Sequence, residues 1–360
     1  MRILIIFDDY FGGAGNVAQL LARELREDND VTLMPTNEHT SPRYELSNIR
    51  LAPYRLQVRK SDFLFLGKRI LTPLRCSILE HSPDLVISFL DIINTLVCLS
   101  LRDENVALIV SERNDPIKSA PSPPWGIMRR HAYERADIIT VQFPSFISSL
   151  GKKLERKVRV TPNIIQPAPH KTVPAVHHPL RLVSVGRLTH QKRFDRMLAI
   201  MGRFIQSHPD ATLSIYGDGE LREQLSLQVK ESGLSENVLF MGVTSDVHAA
   251  LIESDVFLMT SQFEGFPNAL SEALAVGLPS VSYACHQGIR DLVGEGGIVV
   301  EEGDVDSYLG ALNELATSNV SWMRCSRGAL DSADRYGATR VVPQWKQCMS
   351  DAMRLAASRK

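Results

Sequence analysis

The chain has 360 residues, 44% of them hydrophobic and 22% charged, with a net charge of −1. This length is too great for one small core and fits two ordinary domains, and the near-neutral charge offers no general attraction to nucleic acid. Five scattered cysteines (Cys76, Cys98, Cys285, Cys325 and Cys348) form no C-x-x-C pair, which argues against a disulfide framework or a thiolate zinc site and for a reducing cytoplasm. The opening MRILIIFDDYF has only seven residues before its two aspartates. It is too short for a signal peptide and reads as a first buried strand. No apolar run reaches the ~18 residues of a spanning helix.

In chain order, six short runs come first: RILIIF (2–7), DVTLM (30–34), DLVISF (84–89), ALIVSE (107–112), IITVQF (138–143) and VRVTPN (158–163). Their near-continuous apolar character predicts parallel strands buried on both faces. Residues 166–179, QPAPHKTVPAVHHP, hold four prolines and no apolar periodicity, and read as a linker. Six more runs follow: LRLVSVGRL (180–188), ATLSIYG (211–217), VLFMG (238–242), VFLMTS (256–261), LPSVSY (278–283) and GGIVV (296–300), with helical stretches such as FDRMLAIMGRFIQSHP between them. The βα alternation thus occurs twice, which predicts an α/β chain of two doubly wound parallel-sheet domains, 1–165 and 180–338. Open sheets of this kind bind ligands at the carboxyl ends of their strands, so the expected site is the cleft between the domains. The tail, 339–360, reads as a helix with the stripe Val342, Trp345, Cys348, Met349, Ala352 and Leu355.

Four loops carry candidate chemistry. In EGFPNALSEA, Glu264 and Glu272 lie eight positions apart. Pro267 and Asn268 open a helix that Gly277 closes. N–H groups at such a helix start favour an anion, while each glutamate suits sugar hydroxyls; the alternative is a Glu-capped surface helix. In VGRLTHQKRFD, Arg187 and Lys192 flank a strand-to-helix turn after Gly186. A guanidinium fork and an ammonium together suit a diphosphate, or are exposed loop charges; His190 reads as solvent-exposed. In DDYFGGAGN, Gly12, Gly13 and Gly15 allow close backbone approach without a dinucleotide fingerprint. IYGDGEL ends another strand with Gly217 and Gly219. Asp304 and Asp306 read as helix-capping residues. Asp8 and Asp9 have no third ligand in view, so no metal is expected.

With these residues in place, the chain resembles the retaining glycosyltransferases of family 4, of the kind found in bacterial surface-polysaccharide and lipid-linked oligosaccharide synthesis. Glu264 and Glu272 meet that family's E-x7-E motif, and Gly186, Arg187, Leu188 and Lys192 its G-R-L-x-x-x-K motif. Gly12, Gly13 and Gly15 meet its glycine loop. The resemblance spans essentially the whole chain. It implies the GT-B fold, two Rossmann-like domains with the last helix crossing back to the first. It implies that Arg187 and Lys192 bind the donor diphosphate, Glu264 holds the donor sugar, and Glu272 binds the ribose. Phe266, Pro267, Asn268, Ala269 and Leu270 would cradle sugar and phosphate with their amides, and Gly265 and Gly217 would sit beside the donor. No metal or cofactor is implied, since the nucleotide-sugar is a substrate.

One departure is SERNDP, where Arg113 stands in place of a histidine found in many relatives. As a permanent cation it cannot be a general base. Glu112, Arg113 and Asn114 are expected to contact donor or acceptor. Residues 43–75 hold eight cations (Arg43, Arg50, Arg55, Arg59, Lys60, Lys68, Arg69 and Arg75) among Phe63, Leu64, Phe65, Leu66, Ile70, Leu71 and Leu74. This basic amphipathic segment suits an anionic membrane surface, or is a solvated face over the first sheet. The expected acceptor is a glycan on an undecaprenyl-diphosphate-type carrier, and the expected place is the inner face of the cytoplasmic membrane. UDP is the expected nucleotide, by analogy with the bacterial relatives. Two other readings are a sugar-nucleotide epimerase on the same fold, which would turn over donor without acceptor, and a non-catalytic nucleotide-sugar-binding subunit. The intact trio of Arg187, Lys192 and Glu264 argues against the latter.

Overall fold

In the computed structural model the chain forms two compact units, Met1–Ile164 with Ala338–Lys360, and Ile165–Gly337. The structure describes all residues except 11, 38–41, 43, 57–65, 120–121, 170–178 and 360. Most of the expected linker, and Arg43, Arg59, Lys60, Phe63, Leu64 and Phe65 of the basic segment, lie outside the described residues.

The first unit is built on seven strands: β1 (Arg2–Phe7), β2 (Asp30–Pro35), β3 (Arg50–Leu51), β4 (Leu85–Phe89), β5 (Ala107–Ser111), β6 (Ile138–Val141) and β7 (Val158–Val160). Their order is β3-β2-β1-β4-β5-β6-β7, and every pairing is parallel. β4, β5 and β6 are buried along their full length, as unbroken apolar runs require. β3 has no counterpart in the sequence reading. It is two exposed residues at the sheet edge, too short and too polar to show a strand period.

The helix Ala338–Ala357 belongs to this unit, and its buried face joins the core around Phe7, Leu33, Ile87 and Ile109. That face is Val341, Trp345, Cys348, Met349, Ala352 and Ala356. Val342 is only partly buried and Leu355 is 40% exposed, so the stripe differs at both ends from the expected one. The i, i+4, i+7 spacing from Val341 fits the sheet better than the spacing from Val342.

The second unit has six strands: β8 (Arg181–Val185), β9 (Thr212–Tyr216), β10 (Val238–Gly242), β11 (Val256–Met259), β12 (Ser280–Ala284) and β13 (Gly297–Glu301). They run β10-β9-β8-β11-β12-β13, again all parallel. The helix Phe194–Phe204 buries Met197, Leu198 and Met201 against Leu182, Leu213 and Leu258. Trp322 joins the same cluster, and its Nε1 donates to the Asp255 carbonyl at 2.7 Å. Asp304 caps the helix Val305–Thr317 by accepting from the Ser307 N–H at 2.9 Å, and Asp306 pairs with Arg203 at 2.7 Å. Two Rossmann-like parallel-sheet units, with the last helix in the first of them, are the GT-B fold that the resemblance implied.

Candidate active site

β8 and β11 are neighbours in the second sheet, so the loops at their carboxyl ends leave side by side. Residues 186–193 lead into the helix Phe194–Phe204, and 260–267 into the helix Asn268–Ala275. Hydrogen bonds join the loops. The Gln262 N–H donates to the Gln191 carbonyl at 2.9 Å, Gln191 Nε2 to the Phe263 carbonyl at 2.9 Å, and Thr260 Oγ1 to the Arg193 carbonyl at 3.0 Å. This brings Lys192 to Glu264 across 72 residues of sequence, with Nζ 2.6 Å from Oε1. The glutamate side chain is 8% exposed and the lysine 21%. A carboxylate this buried requires its partner, because an unpaired charge in low dielectric is strongly destabilising. The lysine half of the pair remains open to solvent, and with it the approach to this corner.

Glycines let the backbone close in here. A Cβ on Gly186 would sit 3.3 Å from Lys192 Cε, so the lysine stem lies across it. Gly217 has φ +134°, and a Cβ there would lie 2.0 Å from the Gly186 carbonyl oxygen. The protein's own chain packing therefore accounts for Gly217, which bears on its expected place beside the donor. Arg187 follows Gly186 and is exposed, as is His190.

The helix Asn268–Ala275 begins differently from the sequence expectation. Pro267 is extended (φ −73°, ψ 100°) and precedes the first helical residue, and no side chain caps it. Ser271 bonds the Pro267 carbonyl with both its N–H and its Oγ, each at 3.0 Å. Gly265, Phe266, Pro267 and Leu270 are buried, while Asn268, Ala269 and Glu272 are half-buried. The Phe266 ring packs edge-on against Tyr336 with centroids 5.3 Å apart. Phe266 and Leu270 thus face the core with their side chains, and only their backbone can face a ligand.

Sequence reasoning missed two supports. Gln191 is one of them. His286 is the other: its Nδ1 accepts from the Gly288 N–H at 3.0 Å, which places the ring proton on Nε2, 3.1 Å from the Gly265 carbonyl. The signal was its position just after β12, where a helix cap belongs.

At the strand ends of the first unit, Asp9 Oδ1 accepts from the Gly12 N–H at 2.9 Å, and Gly13 opens the helix Gly13–Leu25. A Cβ on Gly15 would lie 1.9 Å from the Asp9 carbonyl oxygen, so the close approach read from this loop is one the chain makes to itself. After β5 the side chains turn inward. Glu112 is buried and accepts from Tyr133 Oη at 2.5 Å, with Arg129 Nη1 3.6 Å away, and burial raises its pKa. The Arg113 guanidinium lies 5.2 Å from the Phe89 ring centroid and 5.3 Å from that of Trp345, and donates to Asn163 Oδ1 at 2.8 Å. Burial pulls its pKa down to about 9, so it remains a cation at neutral pH. Glu112 and Arg113, both expected to contact donor or acceptor, thus pack against Tyr133 in the one case and Phe89 and Trp345 in the other. Asn114 is half-buried and accepts from the Asp115 N–H at 3.1 Å.

Among the described residues no cluster of His, Cys, Asp and Glu has the geometry of a metal site. No described helix is long and apolar enough to cross a membrane.

Comparison with known proteins gives a family resemblance for part of the chain. Residues 168–330, nearly all of the second unit, match the family described as glycosyl transferases group 1. An uncharacterized glycosyltransferase of Methanocaldococcus jannaschii is 30% identical over 240 residues, 59% of each chain. The lipopolysaccharide 1,6-galactosyltransferase of Salmonella typhimurium is 30% identical over 165 residues, 44% of each chain. The chain thus spans roughly half of the curated relatives it matches. Among solved structures, Anabaena HepE in complex with UDP and glucose superposes with a TM-score of 0.81 at 18% identity, covering 97% of this chain and 99% of that one. The corner that joins Lys192 to Glu264 lies inside the region that matches the family described as glycosyl transferases group 1.

Proposed function

We propose that the protein is a retaining, metal-independent glycosyltransferase. It moves a sugar from a nucleoside-diphosphate donor, UDP-linked, to a growing glycan on a lipid-diphosphate carrier in surface-polysaccharide synthesis. The observation that carries this reading is the Lys192–Glu264 pair, 2.6 Å apart at the carboxyl ends of β8 and β11. The Lys192 ammonium and the exposed Arg187 guanidinium receive the diphosphate and stabilise the negative charge of the departing nucleotide, work that a metal does elsewhere. Glu264, held in place by Lys192, accepts hydrogen bonds from the donor sugar, and Glu272 from the ribose. Backbone N–H groups of Gly265, Phe266, Asn268, Ala269 and Leu270 meet sugar and phosphate at the uncapped helix start.

In the transfer, the bond from the anomeric carbon to the phosphate oxygen breaks. A bond to the acceptor oxygen forms on the same face, and the acceptor proton passes to the leaving phosphate. The complexes of HepE support UDP as the donor nucleotide, and the relative from Salmonella supports a polysaccharide product. A peripheral position on the inner membrane face completes the reading. In the basic segment Arg50, Arg55, Lys68, Arg69 and Arg75 are exposed, whereas Ile70 and Leu74 face the core. Charge rather than apolar insertion is therefore what its described part offers to a lipid surface.

Thermal stabilisation by UDP, GDP, ADP and NAD tests the reading, on the wild type and on Arg187→Ala with Lys192→Ala. UDP at 100 times its dissociation constant should add ~2.7 kcal/mol to the wild type and nothing to the variant. Equal shifts in both proteins would remove the diphosphate site.

A further inference from the structure

The first unit holds a cavity of about 530 Å³ at the end of its sheet where β6 and β7 begin, opposite to the end where strand-end ligands bind. That volume suits a small-molecule site. Its wall comes from the turn before β6, from residues 156–159, and from the last turns of the helix Ala338–Ala357.

Six wall residues are cationic and three are carboxylates. The carboxylates are already engaged. Asp137 pairs with Arg359 and lies 3.8 Å from Arg135, Asp351 pairs with Arg354 at 3.0 Å, and Glu134 pairs with Lys153 at 2.7 Å, outside the wall. Arg156 is exposed, and Arg159 donates from Nη1 to the carbonyls of Arg156 and Val158. The cations crowd one another. Burial and then the charge of Arg359 lower the pKa of Arg135. Burial likewise lowers that of Lys157, against the pull of Asp137 and with a push from Arg156. Leu355, the helix residue that turns away from the core, gives the wall an apolar part. A surplus of guanidinium forks beside an apolar wall complements a phosphate group carried on an organic body.

We propose that this cavity binds a phosphate-bearing ligand, with the phosphate on Arg156, Arg159 and Arg354 and the apolar part on Leu355. It is a site separate from the Lys192–Glu264 corner, and it stands whether or not the proposed function does.

The test uses the full chain carrying Arg187→Ala and Lys192→Ala, so that the second unit contributes no diphosphate binding. Sodium pyrophosphate is titrated calorimetrically, and co-sedimentation is measured with phosphatidylglycerol-containing and pure phosphatidylcholine vesicles. Adding Arg156→Gln and Arg354→Gln, both at exposed positions, should weaken binding at least tenfold with the melting curve unchanged. Pyrophosphate binding that falls in this way identifies a soluble phosphate as the source. Sedimentation with phosphatidylglycerol alone, lost in the same variant, identifies a lipid headgroup. Binding of neither probe, or equal binding with and without the two glutamines, overturns the proposal.

Discussion

The two sheets end in the same way, with charged residues just beyond their strands, yet the charges meet different fates. Beyond β8 and β11, Arg187 is exposed and Lys192 keeps a solvent-facing side above its bond to Glu264. Beyond β5, Glu112 and Arg113 are folded under Tyr133, Phe89 and Trp345. A charged side chain at a strand end is therefore no ligand contact by itself. What separates the two cases is whether an aromatic or hydroxyl partner from another element closes over it, as Trp345 of the last helix closes over Arg113.

The comparison can be broken from the first unit. Trp345 is fully buried and supplies one of the two rings against Arg113, so Trp345→Ala should cost about 3–5 kcal/mol, read by denaturant unfolding. A loss under 1 kcal/mol would mean that the last helix does not hold the first unit together.

From the second unit, Lys192→Met leaves the buried Glu264 carboxylate alone and should cost about 3 kcal/mol. Adding Glu264→Gln should restore most of that stability while sugar transfer stays abolished. Restored transfer would reduce the pair to scaffolding.

Two arginines sharpen the contrast further. Among the described residues Arg113 Nε and Nη2 are buried without hydrogen-bond partners, so Arg113→Met should be within about 1 kcal/mol of the wild type, or more stable. Arg187→Ala, at an exposed position, should change stability by less than about 0.5 kcal/mol and still weaken nucleotide binding.

The smallest expected effect is chemical. Burial pushes the Cys98 thiol up to about 12 and the Cys348 thiol up to about 11, Cys285 and Cys325 are buried, and Cys76 is exposed. A thiol reagent at pH 8 should label one site quickly, found at Cys76 by peptide mapping, since the thiolate is the reactive form. Rapid labelling at Cys98 would show that the first sheet opens readily.

The strands of both units were legible because parallel strands buried on both faces leave unbroken apolar runs such as LVISF and ALIVS. β3 was not, since two exposed residues carry no period. The pairing of Lys192 with Glu264 could be anticipated only as two motifs. Their contact depends on Gln191 and Thr260 joining two loops, information held in hydrogen bonds between residues about 70 positions apart. His286 escaped notice for the same reason, as its bond to the Gly265 carbonyl spans two loops. The direction of Arg113 was hidden because its partners, Phe89, Asn163 and Trp345, come from three distant parts of the chain. Leu355 shows how periodicity alone misassigns a helix end: a one-residue rotation of the stripe sends it outward and Ala356 inward.

Calorimetric titration of UDP into the wild type, Arg187→Ala and Arg113→Met tests the central claim most directly. The account predicts that the wild type and Arg113→Met bind alike and that Arg187→Ala binds about 10- to 100-fold more weakly, the loss of one charged hydrogen-bonding group. Weakened binding in Arg113→Met with Arg187→Ala unchanged would contradict it, and would move the nucleotide's phosphate to the strand ends of the first unit.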